Sequence, residues 1–178
     1  MGKLISKSQY TRGLQCLKSL WLYNYKRDLQ EPVSPETQAV FDQGNEVGDL
    51  ARRYYEGGVM LKQGRDDIAG ALKETQELLK NGAKLLYEAT FQAEGVLVRV
   101  DILRKVGEAW DLIEVKSSTE LKDQHLGDIA IQKHVLEACG IKIAKAFLMC
   151  IDTSFVRCGE VTPREIFKQI DVTEAIAE

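Results

Sequence analysis

The stretch VRVDILRKVGEAWDLIEVKSST, residues 98–119, reads as two apolar strands joined by a tight turn at Gly107. Apolar, β-branched residues favour extended chain, and glycine favours the turn between two such runs. Both strands nevertheless carry charge within their apolar part. Asp101 lies in the first strand, and Glu114 and Lys116 lie in the second.

Strand geometry predicts that these charged side chains share one face. Side chains two residues apart lie on the same side of a strand, as do Glu114 and Lys116. An even-length loop centred on residues 106–107 places Asp101 opposite Leu112, and opposed residues share a face. Asp101 and Glu114 are then diagonal neighbours whose side chains converge, whereas an odd-length loop would separate them.

The convergence of Asp101 and Glu114 has a chemical consequence. Two neighbouring carboxylates repel each other and are costly to bury unless a cation lies between them. Oxygen ligands with no His or Cys nearby select Mg²⁺ or Mn²⁺. Lys116 would orient the attacking water or stabilise developing negative charge, which predicts metal-assisted hydrolysis of a phosphodiester. The alternative is an exposed ion pair, because such spacings also arise by chance.

The charge of the chain is unevenly distributed. The net charge of −3 over 178 residues argues against a general nucleic-acid binder. Residues 1–27 nevertheless hold no acidic side chain and six basic ones: Lys3, Lys7, Arg12, Lys18, Lys26 and Arg27. We expect Lys7, Arg12 and Lys18 to contact DNA phosphates, and the alternative is a solvated helix face. Apolar residues at helical spacing are assigned to packing instead: Leu14, Leu17 and Trp21.

Composition and length predict one domain in the cytoplasm. No apolar run approaches the roughly 20 residues of a membrane helix, and the first residues lack a secretory signal. We therefore expect no membrane contact. The four cysteines are widely spaced without a CxxC pair, which is typical of free thiols.

Periodicity predicts an α/β fold with a mixed central sheet. Four helices are expected over residues 6–26, 35–55, 67–80 and 123–139, with a short final helix from Pro163. Ser34 is the expected cap of the second helix, and Asp66 or Asp67 starts the third. Strands are expected over residues 59–61, 84–91, 96–104, 109–117, 143–151 and 155–161. The antiparallel meander of residues 84–117 would be joined through the helix at 123–139 to a buried strand.

Several segments resemble known nucleases. Asp101 with Glu114-Val115-Lys116 resembles the signature of the PD-(D/E)XK nuclease superfamily. Gln132 resembles the extra motif of its RecB-like branch, which includes the CRISPR-associated RecB-type exonucleases. Further segments resemble the N-terminal nuclease region of a poorly characterised bacterial family: SKSQYTRGLQCLKSLWL, GNEVGDLA, YEATF, DLIEVKSST and DIAIQ.

This resemblance implies a restriction-endonuclease-like core of order αβββαβ with added N-terminal helices. Residues 1–178 would form one domain, with a mainly helical part at 1–82 and the catalytic core at 83–161. The implied activity is metal-dependent cleavage of DNA, in DNA repair, phage defence or CRISPR-type processing. The alternative is a catalytically weak or inactive module that binds nucleic acid or protein.

The resemblance also implies roles for individual residues. Metal ligands would be Asp101, Glu114 and the Val115 carbonyl, with support from Glu88. Lys116 would be the catalytic lysine, and Gln132 would position DNA or the site. The alternatives are an edge charge for Glu88 and an exposed glutamine for Gln132.

Two features depart from the pattern of the resembling nucleases. RecB-like nucleases usually carry a metal-binding His four residues after a helix glycine, but Gly44 is followed at that distance by Gly48. His125 and His134 do not fit that register, and Asn45 and Glu46 are the nearby polar substitutes.

The second departure concerns cysteine. Related iron–sulfur nucleases join one N-terminal cysteine to a C-terminal cluster; Cys16 matches the former, but Cys150 and Cys158 do not resemble the latter. We expect no iron–sulfur cluster and a packed thiol at Cys16. The chain is then a short form or a fragment, which leaves other subunits or a missing C-terminal region as further partners.

Overall fold

The computed structural model describes residues 4–64, 66–156, 159 and 162–177. Within these residues, seven strands form one mixed sheet accompanied by six α-helices. The α/β class and the αβββαβ order of the core are confirmed.

The elements have the following bounds. The helices are α1 Lys7–Gln15, α2 Leu17–Tyr25, α3 Pro35–Tyr54, α4 Ile68–Lys80, α5 Asp123–Ala138 and α6 Pro163–Ile166. The strands are β1 Ile5–Ser6, β2 Val59–Met60, β3 Leu85–Ala93, β4 Val96–Val106, β5 Ala109–Val115, β6 Ile143–Ile151 and β7 Phe167–Asp171. Short 3₁₀ helices span Arg27–Leu29 and Glu174–Ile176.

The sheet runs in the order β2-β3-β4-β5-β6-β7, and β1 pairs with β4 outside this path. Strands β3, β4 and β5 form the predicted antiparallel meander. The crossover through α5 makes β6 parallel to β5, whereas β7 returns antiparallel to β6. The predicted edge strand is β2, which lies parallel to β3.

The two faces of the sheet pack against different helices. Leu103 and Leu112 belong to a buried cluster with Ile129 of α5. Their neighbours Ile102 and Ile113 belong to a second cluster with residues of α3. This division follows from strand geometry, because successive side chains point to opposite faces. Strand β5 is therefore buried on both sides.

Local capping explains where the predicted helices begin. The Ser34 side chain accepts a hydrogen bond from Thr37 N–H (3.2 Å), with Pro35 at the first helical position of α3. The Asp67 carboxylate likewise accepts from Gly70 N–H (2.8 Å) at the start of α4. Such side-chain acceptors satisfy amide groups that have no partner within the helix. Both predicted starts are confirmed.

The N-terminal helix was predicted wrongly as one unit. Cys16 has an extended backbone and separates α1 from α2, and its Sγ accepts from Ser19 N–H (3.4 Å). Cys16 is exposed, which corrects the prediction of a packed thiol. Leu14, Leu17 and Trp21 are also exposed, at 66%, 77% and 52%, and are not committed to packing.

The last strand was also misplaced. Residues 155, 156 and 159 of the predicted strand 155–161 are not in a strand, and the remainder lies outside the described residues. The final strand is instead β7, which follows the predicted helix at Pro163. Phe167 alone is buried in β7, so its apolar signal in the sequence is weak.

Two findings concern cysteine and the membrane. Cys16, Cys139 and Cys150 are free thiols, and Cys158 lies outside the described residues. Among the helices that the structure describes, none is long and apolar enough to span a bilayer.

Candidate active site

The hairpin brings Asp101 and Glu114 closer than the sequence predicted. Leu112 lies opposite Leu103, not opposite Asp101, because the two-residue turn is 107–108. Continuing this register by one pair places Asp101 directly opposite Glu114. The loop keeps its even length, so Asp101 and Glu114 lie on the same face of the sheet, as predicted. They are directly opposed and not diagonal neighbours. The Asp101 carboxylate accepts a hydrogen bond from Val115 N–H (2.8 Å).

Glu114 is buried and surrounded by donors. Its two oxygens accept from Lys7 Nζ at 2.8 and 2.9 Å. Lys116 Nζ lies 2.8 Å from Oε1, and Gln132 Nε2 donates to Oε2 at 2.7 Å. Burial by itself would raise the pKa of Glu114, but the charges of Lys7 and Lys116 lower that pKa to about 2. Glu114 is therefore ionised at neutral pH.

Lys116 bridges two carboxylates. Its ammonium donates to Asp128 at 2.8 Å in addition to its contact with Glu114. Burial opposes the charged form, yet Glu114 and Asp128 together raise the pKa of Lys116 above its ordinary value. Lys116 thus keeps its proton at neutral pH, so it can stabilise negative charge but cannot act as a general base.

Gln132 is buried, which excludes the alternative of an exposed helix glutamine. Its Nε2 donates both to Glu114 and to the backbone oxygen of Asp128 (2.9 Å). Its Oε1 is buried without a hydrogen-bond partner among the described residues. This amide fixes the orientation of Glu114 and leaves one acceptor unused beside it.

Asp101 has a different environment, because it lines a cleft of about 640 Å³ and is partly exposed. Burial and the nearby charge of Glu114 raise the pKa of Asp101 to about 7, although Lys7 acts in the opposite direction. Asp101 is therefore a carboxylate with less positive charge around it than Glu114 has.

Glu88 lies on β3 at the level of Asp101, between the pairs Tyr87–Ile102 and Ala89–Val100. Its backbone φ is +59°, a left-handed conformation that costs a non-glycine residue about 1 kcal/mol or more. The Glu88 carboxylate lies 3.8 Å from Arg52 and 4.0 Å from Arg99. Glu88 therefore belongs to the cleft wall with two guanidinium groups as its partners.

Helix α3 supplies the opposite wall of the cleft. Gly44, Asn45 and Gly48 line it, so the position that lacks a histidine faces the same space as Asp101. A Cβ atom at Gly48 would lie 3.5 Å from the Arg52 guanidinium, an ordinary contact. The site therefore has room for a side chain at residue 48, and Arg52 fills part of that space.

The two histidines lie elsewhere. His125 Nδ1 accepts from Lys122 N–H at the start of α5 (3.2 Å). His134 Nε2 lies 2.8 Å from a carboxylate oxygen of Glu94. Neither residue lines the cleft beside Asp101.

The three predicted DNA contacts fall into two groups. Lys7 is held by Glu114 and its side chain is only 20% exposed, so the expectation that it contacts DNA is not supported. Arg12 and Lys18 are exposed. Arg12 donates to Ser19 Oγ (3.0 Å) and lies 4.7 Å from the centre of the Tyr23 ring.

Sequence reasoning missed Asp128 as a participant in the site and missed the contact of Lys7 with Glu114. Asp128 binds Lys116 and accepts from Thr11 Oγ1 of α1 (2.9 Å). Its spacing of four residues from Gln132 places both on one face of α5, a signal that the sequence contains. Lys7 has no such local signal, because it meets Glu114 across 107 positions of sequence.

The donor chemistry of the site fits a hard divalent cation. Asp101, Glu114 and the carbonyl of Val115 are oxygen ligands of the type that Mg²⁺ and Mn²⁺ prefer. No cluster of three or more His, Cys, Asp or Glu side chains suited to a metal occurs among the described residues. The Lys7 ammonium takes the place of a cation on Glu114, so a metal bound by both carboxylates requires this ammonium to move.

Comparisons with known proteins find only distant similarity, and only among solved structures. No family model and no curated protein matches the chain. Among solved structures, the crystal structure of SSO0001 is similar at 14% identity and a TM-score of 0.38. The similarity covers 96% of this chain and 68% of that chain. A likeness at this level supports no conclusion about activity.

Proposed function

We propose that this protein is a Mg²⁺- or Mn²⁺-dependent nuclease that hydrolyses phosphodiester bonds in DNA. The observation that carries the proposal is the opposition of Asp101 and Glu114 on adjacent strands, with Lys116 and Gln132 in contact with Glu114. A buried glutamate held by a lysine and an amide, beside a second carboxylate with a raised pKa that opens into a cleft, is an arrangement typical of a functional site.

Each residue has a distinct part in this chemistry. A divalent cation held by Asp101, Glu114 and the Val115 carbonyl would supply Lewis-acid activation at the scissile phosphate. Lys116 keeps a positive charge that stabilises negative charge developing on the phosphate oxygens. Gln132 orients Glu114.

The cleft beside Asp101 is suited to a phosphate backbone. Arg52, Lys62 and Arg99 line it and would offer positive charge to phosphate oxygens, with Arg52 and Arg99 shared with the Glu88 carboxylate at 3.8 and 4.0 Å. Arg12 and Lys18 are exposed on the N-terminal helices and would extend the contact. We place this activity in the cytoplasm, in DNA repair, phage defence or CRISPR-type DNA processing.

Cleavage of labelled single- and double-stranded DNA with Mn²⁺, compared with EDTA, tests the proposal. Asp101→Asn, Glu114→Gln and Lys116→Ala should each lower the rate by about 10²-fold or more. Glu137→Gln is the matched control, since the Glu137 side chain is exposed and pairs with Lys133 at 3.3 Å on the outer face of α5. Cleavage that persists in EDTA, or in Asp101→Asn, would contradict the proposal.

A binding module without effective catalysis is the second candidate. It is favoured by the saturation of Glu114 with hydrogen-bond donors and by glycine at position 48. This candidate predicts DNA binding that is insensitive to Mn²⁺, with no cleavage of either substrate. The same assay, supplemented by a gel-shift measurement, separates the two candidates.

A further inference from the structure

Lys7 reaches the candidate site through an unusual strand pairing. Ile5 and Ser6 of β1 pair in parallel with Val96 and Leu97 of β4. Val96 and Leu97 pair with β3 along the other edge of β4. Strand β1 therefore lies along the same edge of β4 as β5. Strand β5 pairs with β4 only from Ile102 onward. The chain therefore enters α1 beside the gap between the two pairings.

Lys7, the first residue of α1, fills that gap with its ammonium group. Its Nζ donates to both oxygens of Glu114 at 2.8 and 2.9 Å, in a chelating arrangement. An ammonium in this position and a divalent cation bound to the same oxygens exclude each other.

The N-terminal helix has attachments that do not depend on Lys7. Thr11 Oγ1 donates to Asp128 of α5 (2.9 Å), and β1, which leads into α1, pairs with β4. Ser6 and Gln9 form a reciprocal capping box at the start of α1. The Lys7 side chain is 20% exposed. The ammonium can therefore leave Glu114 by side-chain rotation while the helix stays attached.

Taking the proposed nuclease function as its basis, we propose that Lys7 is the built-in counter-ion of the metal site. It neutralises Glu114 in the metal-free protein, and a divalent cation displaces it. Because binding energies are reciprocal, the strength of the Lys7–Glu114 contact lowers the affinity for the cation. Lys7 therefore sets the cation concentration at which the site fills.

A Mn²⁺ titration without DNA, followed by the electron paramagnetic resonance signal of free Mn²⁺, tests this role. Lys7→Met keeps the length of the side chain and removes its charge. This variant should bind Mn²⁺ about tenfold more tightly than the wild type. Lys73→Met is the matched control, because Lys73 is exposed on α4 and does not line the cleft, and the affinity of this variant should equal that of the wild type.

The possible outcomes are distinct. If the wild type binds Mn²⁺ and Lys7→Met binds it equally or more weakly, the Lys7 proposal fails and the nuclease proposal stands. If neither protein binds Mn²⁺, both proposals fail. Tighter binding by Lys7→Met supports the Lys7 proposal whether or not the wild type binds measurably.

A second measurement covers the case in which Lys7→Met does not fold. Nuclear magnetic resonance of the ¹⁵N-labelled lysine ammonium groups of the wild type should show a protected signal for Lys7, as expected for a buried pair. Saturating Mg²⁺ should remove this protection. A Lys7 signal that stays protected at saturating Mg²⁺ would overturn the proposal.

Discussion

The two carboxylates of the candidate site lie opposite each other on adjacent strands but have opposite electrostatic environments. Glu114 points to two ammonium groups and an amide, and its pKa is lowered to about 2. Asp101 lines the cleft, accepts from one backbone amide, and its pKa is raised to about 7. Burial raises both pKa values, so the difference comes from the positive charge supplied to each group. The depth of a carboxylate therefore does not by itself determine its ionisation.

This difference separates the roles of the two residues. Glu114 helps to hold the metal-free fold together, because it joins α1, β5 and α5 through Lys7, Lys116 and Gln132. Asp101 joins fewer elements, because it accepts a hydrogen bond only from the Val115 amide among its described contacts. It faces the cleft from which a cation or DNA would enter. We therefore expect removal of the Asp101 carboxylate to spare the fold and removal of the Glu114 carboxylate to destabilise it.

The largest expected effect is a loss of stability in Glu114→Gln. The change leaves Lys7 without its anionic partner in a mostly buried position. Breaking a buried ion pair from one side typically costs roughly 3–5 kcal/mol. Urea unfolding in EDTA should show a decrease of that order in the free energy of unfolding.

Glu137→Gln makes the same chemical change in an exposed pair with Lys133. It should alter the free energy of unfolding by no more than about 0.5 kcal/mol. Equal stabilities for Glu114→Gln and this control would mean that the donors around Glu114 do not stabilise the fold.

Asp101→Asn should change the free energy of unfolding in the opposite direction and by a smaller amount. An aspartate in the unfolded chain has a pKa of about 3.9, whereas that of Asp101 in the fold is about 7. At pH values between about 4 and 7, Asp101 is therefore protonated in the folded protein but ionised in the unfolded chain. The stability of the fold accordingly falls as the pH rises through this range. Asparagine removes this titration. Unfolding measured in EDTA at several pH values should show a variant at least as stable as the wild type at pH 8. A variant that is markedly less stable at pH 8 would assign Asp101 to a structural network.

Gly48→His tests whether the cleft beside Asp101 binds a metal ion. The proposed nuclease function gives a metal-binding histidine a use at this position, and there is room for a side chain here. An added imidazole beside Asp101 should raise the affinity for Mn²⁺ by about tenfold, measured by calorimetry.

Gly48→Ala is the control for this substitution. Alanine in a helix interior should stabilise α3 by roughly 0.5–1 kcal/mol without changing the affinity for Mn²⁺. An equal rise in affinity for Ala and His would attribute the effect to helix rigidity and not to the imidazole.

The smallest expected effect concerns the salt dependence of DNA binding. Arg12→Gln with Lys18→Gln should lower the slope of log K against log salt by about one unit for each lost phosphate contact. Lys7→Gln should leave the slope unchanged, since Lys7 belongs to the Glu114 side of the site. Fluorescence anisotropy at several salt concentrations measures both. An unchanged slope in the double variant would place the DNA path elsewhere.

Sequence patterns predicted the parts of this structure that depend on local order. The hairpin, the caps at Ser34 and Asp67, and the approach of Asp101 to Glu114 all follow from periodicity or from side-chain hydrogen bonds to nearby backbone. The predicted register was wrong by one residue because a turn at 107–108 and a turn at 106–107 place the same side chains on each face of the hairpin. The alternation of apolar and polar residues therefore does not distinguish the two.

The sequence did not predict features that depend on distant contacts. Lys7 meets Glu114 only because β1 pairs with β4, and nothing in the sequence near Lys7 indicates that pairing. Apolar spacing in α2 indicated a packed face, but Leu17 and Trp21 are exposed because no described element covers them. Periodicity shows that a helix has an apolar side and does not show what that side contacts.

Anomalous diffraction from crystals soaked in Mn²⁺ locates the metal relative to the two carboxylates. Our expectation is one strong manganese peak within bonding distance of both Asp101 and Glu114, with the Lys7 ammonium displaced from Glu114. A site that remains empty at saturating Mn²⁺, with Lys7 still bound to both oxygens of Glu114, would contradict it.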